Sequence, residues 1–215
     1  MVRIKICGMT RLEDALAAIH LGADAIGLVF HPKSPRAIDP VRATALVAAL
    51  PPFVSVVGLF VNHPPEEVHR IVRHCHLSVV QLHGDESPEV CRQISGGSHG
   101  FLRVIKAIRV ATRTDLQGVD AFPVAGILLD AKAPHAYGGT GQVFDWSLLE
   151  GFRCRAPLIL AGGLNPDNIQ AAIQRVKPCA VDLSSGVESA PGIKDHALMR
   201  HFIARVRQAE IGIAS

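Results

Sequence analysis

The chain has 215 residues, of which 48% are hydrophobic and 19% are charged, and its formal net charge is +3. This length and composition exclude a mini-protein and a disordered chain, and they indicate one well-buried core. No dense block of lysine and arginine is present, so the charge pattern argues against nucleic acid as a partner. The most apolar runs, such as 54–61, are too short to cross a bilayer, so no membrane partner is expected.

The amino-terminal residues and the cysteines indicate the compartment. Residues 1–8 lack the long apolar stretch of a signal peptide, which predicts a cytoplasmic protein. The five cysteines are odd in number and widely spaced, so in the cytoplasm they are interpreted as free thiols rather than a disulfide framework. No linker or low-complexity segment interrupts the chain, and residues 1–215 are predicted to form a single domain.

Short runs rich in valine, isoleucine and leucine alternate with segments of helical period. Their continuous apolar character is typical of parallel strands that are buried on both faces. The eight predicted strands are Val2–Ile6, Ala25–Val29, Val54–Val61, Val79–Leu82, Leu102–Ile108, Gly126–Leu129, Leu158–Leu160 and Ala180–Leu183.

Helix signals follow several of these runs. Thr10 and Glu13 form a capping-box pattern, which predicts a helix after the first strand. The apolar face of that helix is predicted to consist of Leu12, Leu16 and Ile19.

Two more helices are predicted near the carboxyl end of the chain. Asn165 is a favourable cap and Pro166 suits a first helical position, so a helix is expected after the seventh strand. Leu198, Phe202 and Val206 form the apolar stripe of a final helix.

Eight strand–helix units in this length give about 27 residues per unit, which is tight but sufficient for a closed (β/α)8 barrel. An open doubly wound sheet is the alternative, and it usually carries a GxGxxG turn after its first strand. The sequence at that position is CGMTRL, which contains no such turn. We therefore predict an α/β protein with a single-domain (β/α)8 barrel, the TIM-barrel fold.

The ends of the predicted strands carry candidate catalytic side chains, because chemistry in such barrels collects there. Cys7 ends the first strand, near a predicted helix start that favours a thiolate. Asp130 ends the sixth strand, where a loop cap or a pair with Lys132 is the structural alternative. Because the first and sixth strands stand on nearly opposite arcs, the thiol and carboxyl are predicted to face each other as base and acid.

Glycine and serine follow the seventh and eighth strands, in LAGGLNPDN and VDLSSGVES. Exposed backbone amides before a helix attract anions, and loops 7 and 8 of a barrel are its usual phosphate site. The predicted phosphate-binding residues are Gly162, Gly163, Ser184, Ser185 and Gly186. A further glycine loop, GGTG at 138–141, is interpreted either as a turn or as a loop that closes over a substrate.

Other polar residues give weaker signals. Arg36, in HPKSPRAI, suits a carboxylate or an aromatic face, with a solvated arginine as the alternative. His83, after the fourth strand, is interpreted as a substrate contact in the barrel mouth or as a structural histidine. The histidine-rich stretch 69–76 matches no familiar zinc spacing, so no metal site is predicted.

Together these motifs resemble the phosphoribosylanthranilate isomerase family of tryptophan biosynthesis. The resemblance extends in order from Lys5 to Asp195, and the set is specific although no single member is. Its members are KICGMT, SPRAI, GLFVN, VQLHGDE, LLDAK with GGTGQVFDW, LAGGLNPDN, and VDLSSGVE with PGIKD. The stretches 95–100 and 112–118 match nothing distinctive.

The resemblance implies a (β/α)8 barrel that needs no metal or organic cofactor. The implied reaction is the Amadori rearrangement of N-(5-phosphoribosyl)anthranilate to 1-(2-carboxyphenylamino)-1-deoxyribulose 5-phosphate. Cys7 would be the general base and Asp130 the general acid. Arg36 would hold the anthranilate end, Asp182 would lie near the sugar, and the glycine and serine loops would hold the phosphate.

Other functions on the same fold remain as alternatives. The related isomerase of histidine biosynthesis resembles a barrel with aspartates at strands 1 and 6, whereas strand 1 here offers Cys7. A metal-dependent epimerase would need ligands at several strand ends, and only His83 and Asp130 qualify. A non-catalytic barrel that binds phosphorylated metabolites would need neither Cys7 nor Asp130. The expected partner is a small phosphorylated substrate, and the expected assembly is a monomer or homodimer.

Overall fold

A closed barrel of eight parallel strands forms the centre of the molecule, and the prediction of a (β/α)8 barrel is confirmed. The computed structural model describes residues 1–96, 102–131 and 145–211. The strands are β1 (Arg3–Cys7), β2 (Ala25–Val29), β3 (Ser55–Phe60), β4 (Val79–Leu82), β5 (Arg103–Val110), β6 (Gly126–Ala131), β7 (Leu158–Leu160) and β8 (Ala180–Leu183). Each strand pairs with its neighbour in chain order, and β8 closes onto β1.

Helices surround this barrel, and the described residues contain six α-helices where eight were predicted for the chain. They are α1 (Leu12–His20), α2 (Pro40–Ala48), α3 (Pro65–His74), α4 (Pro88–Ser95), α5 (Ile169–Val176) and α6 (His196–Ile211). Within the described ranges, no α-helix lies between β5 and β7; short 3-10 turns occur at 113–116, 119–121 and 146–149 instead. No helix in the described part of the chain has the length and apolar character needed to span a membrane.

The fifth helix is absent for a local reason. Thr112 and Asp115 form a capping box that begins a 3-10 turn at Arg113–Leu116. Gln117 then adopts an extended conformation, which ends the turn, and the left-handed Gly118, with φ 72°, begins a second 3-10 turn at Val119–Ala121. The stretch 112–118, which matched no motif, is therefore one place in which the barrel departs from its regular repeat.

The capping box predicted at Thr10 is wrong. The Thr10 hydroxyl donates instead to the backbone carbonyl of Gly192, at 2.6 Å. The cap position of α1 is Arg11, whose side chain makes no capping hydrogen bond. Thr10 therefore joins the first loop of the barrel to a segment near the end of the chain.

The predicted apolar face of α1 is only partly correct. Leu12 and Ile19 are half-buried against the core, but Leu16 is exposed. The fully buried apolar residues of this helix are Ala15 and Ala18. Their small side chains allow α1 to pack close to β2 and α6.

The helix predicted to begin directly after Asn165 begins about one turn later, and Asn165 caps a turn that precedes it. The Asn165 side-chain oxygen accepts from the backbone N–H groups of Asp167 and Asn168, at 2.9 and 3.1 Å. These bonds stabilise a turn that precedes α5, and the helix itself begins at Ile169.

A hairpin that the sequence analysis did not predict follows β8. Its strands are β9 (Glu188–Ala190) and β10 (Ile193–Lys194), which pair antiparallel. Gly192 has φ 82° within the connecting turn, a conformation that favours glycine. The hairpin carries Glu188 and Lys194 to the mouth of the barrel.

Side-chain alternation along the strands produces an outer and an inner core. Outward residues such as Ile6 and Leu129 pack with the helices in one continuous cluster. Ala107 on β5, Leu128 on β6 and Ala161, which directly follows β7, form a separate cluster inside the barrel. The inner positions nearer the carboxyl ends of the strands are therefore the ones that can carry polar side chains into the mouth.

The predicted stripe of α6 can be tested by a matched pair of substitutions. Val206 on α6 is fully buried, whereas Val41 on α2 is 70% exposed. Val206→Ala should lower the free energy of unfolding by about 2 kcal/mol, because buried methyl groups are removed and a cavity remains. Val41→Ala should change it by less than about 0.5 kcal/mol. Urea denaturation of both variants measures the difference, and equal effects would contradict the assigned burial.

Candidate active site at the barrel mouth

The structure gathers the predicted catalytic and substrate-binding side chains at one end of the barrel. Cys7 and Asp130 lie on β1 and β6, Asp182 lies on β8, and His83 directly follows β4. Arg36 follows β2 and belongs to the same mouth, because its side chain touches the loop after Cys7. All five residues are buried.

A buried ion pair lies beside Cys7. The β1–β8 register places Lys5 opposite Asp182, and the Lys5 ammonium donates to Asp182 Oδ1 at 2.8 Å. Gly27 on β2 makes room for this arrangement. A Cβ atom at Gly27 would lie 2.6 Å from Cys7 Sγ and 3.1 Å from Lys5 Nζ, so any side chain there would displace one of them.

The two members of this pair respond differently to their burial. Burial disfavours the charged form of Lys5, but the charges of Asp182 and Cys7 outweigh it and raise the pKa of the ammonium. Burial raises the pKa of Asp182, and the charge and hydrogen bond of Lys5 only partly oppose this effect. The nearby Asp130 carboxyl group, when ionised, raises the pKa of Asp182 further.

The Cys7 thiol lies in an apolar environment on one side and a charged environment on the other. Its apolar neighbours are Val29, Leu59 and Val61. Burial raises the pKa of Cys7 above its ordinary value, and the charge of Lys5 opposes this without reversing it. The expectation that the nearby helix start would favour a thiolate is therefore wrong as an account of the net effect, because burial dominates.

Asp130 is held by a short chain of hydrogen bonds inside the barrel. The His83 ring nitrogen Nε2 lies 3.1 Å from Asp130 Oδ2, and Nδ1 lies 2.9 Å from the amide nitrogen of Gln81. Because an amide nitrogen can only donate, Nδ1 accepts and Nε2 retains the hydrogen that it donates to Asp130. His83 is thus an orienting partner of the predicted acid.

Arg36 is buried in an ion pair, which excludes the solvated alternative. Its Nε and Nη2 atoms donate to the Glu188 carboxylate, at 2.9 and 2.7 Å. Lys194 binds the same carboxylate at 2.8 Å. Burial opposes the ionisation of Glu188, but Arg36 and Lys194 outweigh it and hold the pKa of this carboxyl below its ordinary value.

Hydrogen bonds connect this cluster to Cys7 and to the eighth loop. The Lys194 ammonium donates to the carbonyl and the hydroxyl of Ser184, at 3.2 and 3.3 Å. The Ser184 hydroxyl donates to the backbone carbonyl of Cys7 at 3.0 Å. The geometry at Gly8 is equally tight, since a Cβ atom there would lie 2.5 Å from the Arg36 side chain.

The two predicted phosphate loops are in direct contact. Gly162 and Gly163 have φ 84° and 65°, a left-handed conformation that favours glycine. A Cβ atom at Gly186 would lie 1.9 Å from the backbone oxygen of Leu164, so the seventh and eighth loops touch where Gly186 has no side chain. Ser185 begins a 3-10 turn in the eighth loop. The structure therefore brings all five predicted residues to one side of the mouth.

The sequence analysis missed three charged residues of this site: Lys5, Glu188 and Lys194. Each lies within a motif that was noticed for another residue, namely KICGMT, VDLSSGVE and PGIKD. The pairing of β1 with β8 buries Lys5 against Asp182, and the hairpin of β9 and β10 brings Lys194 to Glu188, so neither contact is visible in a local pattern.

Two sequence hypotheses concern residues elsewhere. The glycine loop 138–141 and Lys132 lie outside the described residues. The stretch 69–76 lies on α3 and the turn after it, where the Cys75 thiol donates to the Pro40 carbonyl. The described residues contain no group of three or more histidine, cysteine or acidic side chains that could hold a metal ion.

Comparison with known proteins decides the family. The family model described as "N-(5'phosphoribosyl)anthranilate (PRA) isomerase" matches residues 4–205. The chain belongs to this family. The chain is therefore an isomerase of tryptophan biosynthesis, which confirms the predicted family, activity and enzyme class.

Individual relatives agree along nearly the whole chain. An N-(5'-phosphoribosyl)anthranilate isomerase of Geobacter sulfurreducens is 53% identical over 207 residues, covering 96% of this chain and 99% of the relative. The crystal structure of phosphoribosyl anthranilate isomerase from Thermotoga maritima has a TM-score of 0.86 and 46% identity, covering 97% and 100% of the two chains. A structure in complex with reduced 1-(o-carboxyphenylamino)-1-deoxyribulose 5-phosphate has a TM-score of 0.85 and 44% identity, with the same coverage.

The ionised carboxylate of Glu188, which Arg36 and Lys194 share, should contribute to the free energy of unfolding in a pH-dependent way. Glu188→Gln leaves two buried cations without their partner, so it should lower the free energy of unfolding by about 3 kcal/mol near neutral pH. Because the folded pKa of Glu188 is below its ordinary value of 4.5, this stabilisation is present above about pH 4.5 and disappears as pH falls through the folded pKa. The difference between wild type and variant should therefore shrink in acid.

Urea denaturation at several pH values from neutral to acid measures this dependence. Glu67→Gln is the matched control, because the Glu67 carboxylate is only partly buried, with a side chain 42% exposed, and is paired with Arg70 at 3.6 Å. That change should alter stability by less than about 1 kcal/mol at any pH. A difference for Glu188→Gln that stayed constant in acid would contradict the assigned role of its charge.

Proposed function

We propose that the barrel mouth performs the Amadori rearrangement of N-(5-phosphoribosyl)anthranilate, with Cys7 as general base and Asp130 as general acid. The observation that carries this proposal is their placement: both are buried at the carboxyl ends of strands in one closed barrel, on β1 and β6. Asp182 interacts with both groups: its charge raises the pKa of Cys7, and the charge of Asp130 raises the pKa of Asp182.

The first proposed step opens the ribose ring. Asp130 gives its proton to the ring oxygen, while the electron pair of the aniline nitrogen forms the iminium and the carbon–oxygen bond breaks. Oδ2 already accepts from His83, so Oδ1 is the atom that carries the transferred proton. His83 thus keeps the carboxyl group in a fixed orientation during the transfer.

The second proposed step moves a proton from carbon to sulfur. The Cys7 thiolate takes the proton from the carbon next to the iminium, and the released electron pair neutralises the nitrogen to give an enolamine. The enolamine then becomes the ketone as its hydroxyl group loses a proton and the carbon bonded to nitrogen gains one. Burial raises the pKa of Cys7, which makes its thiolate a stronger base, and the positive iminium favours that thiolate in the same step. The substrate nitrogen accepts the electrons, so the chemistry requires no metal or organic cofactor.

The seventh and eighth loops are proposed to bind the phosphate group. The left-handed glycines at 162 and 163 and the turn at 184–186 support this, because such loops present backbone N–H groups to an anion. Lys194 adds a positive charge through its contacts with Ser184. The relative bound to a reduced product that carries a 5-phosphate supports the same class of ligand.

Arg36 is proposed to hold the anthranilate end of the substrate. Glu188 fixes the plane of its guanidinium through two hydrogen bonds, and a fixed, planar cation suits a carboxylate or an aromatic face. Asp182 is proposed to lie near the sugar hydroxyls, between the acid and the base.

The remaining features of the proposal concern the whole chain. Residues 1–215 are proposed to act as a single catalytic domain, as a monomer or a homodimer, on a small phosphorylated substrate. A cytoplasmic location is proposed because a cysteine base must remain reduced, and the cytosol keeps thiols in that state.

Substitution of the two reacting groups tests the chemistry. Cys7→Ala and Asp130→Asn should each lower kcat by about a hundred- to ten-thousand-fold, since each removes one positioned proton transfer. A fluorescence assay that follows loss of phosphoribosylanthranilate, without added metal, measures the rate. Cys91→Ala is the matched control, because Cys91 is a buried thiol of the outer core and should leave kcat unchanged. Full activity of either site variant would refute its assigned role.

The role of Arg36 can be tested while its charge is kept. Arg36→Lys removes the planar, two-point contact, so KM for the anthranilate-bearing substrate should rise about tenfold or more, for roughly 1–3 kcal/mol of lost binding. Inhibition by ribose 5-phosphate, which has no anthranilate, should change much less. Equal weakening of both ligands would show that Arg36 only supports the general shape of the mouth.

A further inference from the structure

Lys5 is a buried charged residue that the proposed reaction does not yet use. Its side chain is 7% exposed, and it lies two residues before Cys7 on the same inward face of β1. A lysine is rarely placed in such a position without a function, because removing an ammonium group from water is unfavourable.

The position of the ammonium group is fixed from two sides. Asp182 accepts its hydrogen bond at 2.8 Å from the neighbouring strand. Gly27 on β2 lies next to the ammonium group. A Cβ atom at this glycine would be 3.1 Å from Lys5 Nζ and 2.6 Å from Cys7 Sγ. The Lys5 ammonium and the Cys7 sulfur are thus both next to Gly27, which has no side chain to separate them.

We propose that Lys5 is a positioning residue that stabilises the Cys7 thiolate through its charge, and that Asp182 holds the Lys5 ammonium in place. This inference rests on the proposed role of Cys7 as the base. The ammonium keeps its proton throughout: the substrate C–H proton goes to the Cys7 sulfur, and the C–H electron pair goes to the substrate.

The charged groups around the Cys7 thiol shift its pKa in different directions. Lys5 and Lys194, from β1 and β10, lower the pKa of Cys7, whereas Asp182 from β8 raises it. The side chains that face Cys7 from β2 and β3, Val29 and Leu59, are apolar.

More distant titratable groups adjoin Asp182 and Lys194 rather than the thiol. Asp130 and His83 act on Asp182, and Arg36 and Glu188 act on Lys194. The Lys5 cation therefore lies between the Cys7 thiol and the Asp182 carboxylate. Asp182 holds the Lys5 ammonium in place and also reduces the effect of its positive charge on Cys7. Removing either partner should move the titration of Cys7, in opposite directions.

Thiol alkylation provides the direct measurement. Iodoacetamide reacts with the thiolate, so the rate at Cys7, followed by mass spectrometry of its peptide, gives the titration midpoint as pH is raised. Lys5→Met should move this midpoint upward by about one pH unit or more, which slows alkylation about tenfold below the midpoint. The rising limb of the pH profile of kcat/KM should move by the same amount.

Two further variants should leave the Cys7 midpoint unchanged and lower it, respectively. Lys5→Arg retains the charge and should keep the midpoint close to that of the wild type. Asp182→Asn removes the opposing carboxylate and should move the midpoint downward, although its activity should fall through lost sugar contacts. A midpoint that does not move in Lys5→Met would overturn the proposal and leave Lys5 as a structural partner of Asp182.

Loss of folding must be separated from loss of charge. Lys106→Met is the matched control, because Lys106 is also a buried lysine, paired with Glu86 at 2.8 Å on the outer side of the barrel. It should be destabilising without moving the Cys7 midpoint, and a shift in this control equal to that in Lys5→Met would overturn the proposal. If Lys5→Met does not fold, the double variant Lys5→Met/Asp182→Asn removes both charges and is compared with Asp182→Asn, above which its midpoint should lie.

The two proposals can fail separately. Full activity of Cys7→Ala would remove the base itself and with it the reason for Lys5. An inactive Cys7→Ala together with an unchanged Cys7 midpoint in Lys5→Met would leave the base in place and overturn only the inference about Lys5.

Discussion

Closure of the sheet between β8 and β1 is the constraint on which the site depends. The register of this pairing sets Lys5 opposite Asp182, so closing the ring also forms the ion pair beside Cys7. Residues 177 positions apart in sequence meet only because the hydrogen-bonded ladder is complete. The same closure puts Ser184 against the carbonyl of Cys7, which connects the eighth loop to the first strand. The contacts that close the barrel are thus also contacts of the site.

The charges at the mouth are arranged as shared groups rather than isolated pairs. Glu188 serves both Arg36 and Lys194, and each of these cations is buried. Burial of charge is unfavourable, and such groups remain ionised only when hydrogen bonds and opposite charges compensate. A site of this kind keeps its polar groups oriented before the substrate arrives, so little reorganisation is required during the reaction. The unfavourable burial is offset by the apolar contacts of the outer core.

The sequence predicted the strands well because each is a short apolar run whose type does not depend on its neighbours. It predicted Cys7 and Asp130 because polar residues that end such runs are conspicuous. Lys5 was missed because its partner is defined by register across the closed barrel, which no local pattern contains. The absent fifth helix was missed for another reason: the backbone becomes extended at Gln117 and left-handed at Gly118, which composition does not reveal. The capping pattern at Thr10 failed because Gly192 competes for its hydroxyl.

The contact between Gly186 and Leu164 joins the seventh and eighth loops, which together form the proposed anchor for the phosphate group. Ser184 then fixes the spacing between that anchor and the first strand. A substrate held by its phosphate has its reacting carbon delivered to Cys7 only if the intervening carbon chain has the right length. With the phosphate in the proposed place, a sugar chain of five carbons would reach Cys7, whereas a shorter or longer chain would place its reacting carbon elsewhere.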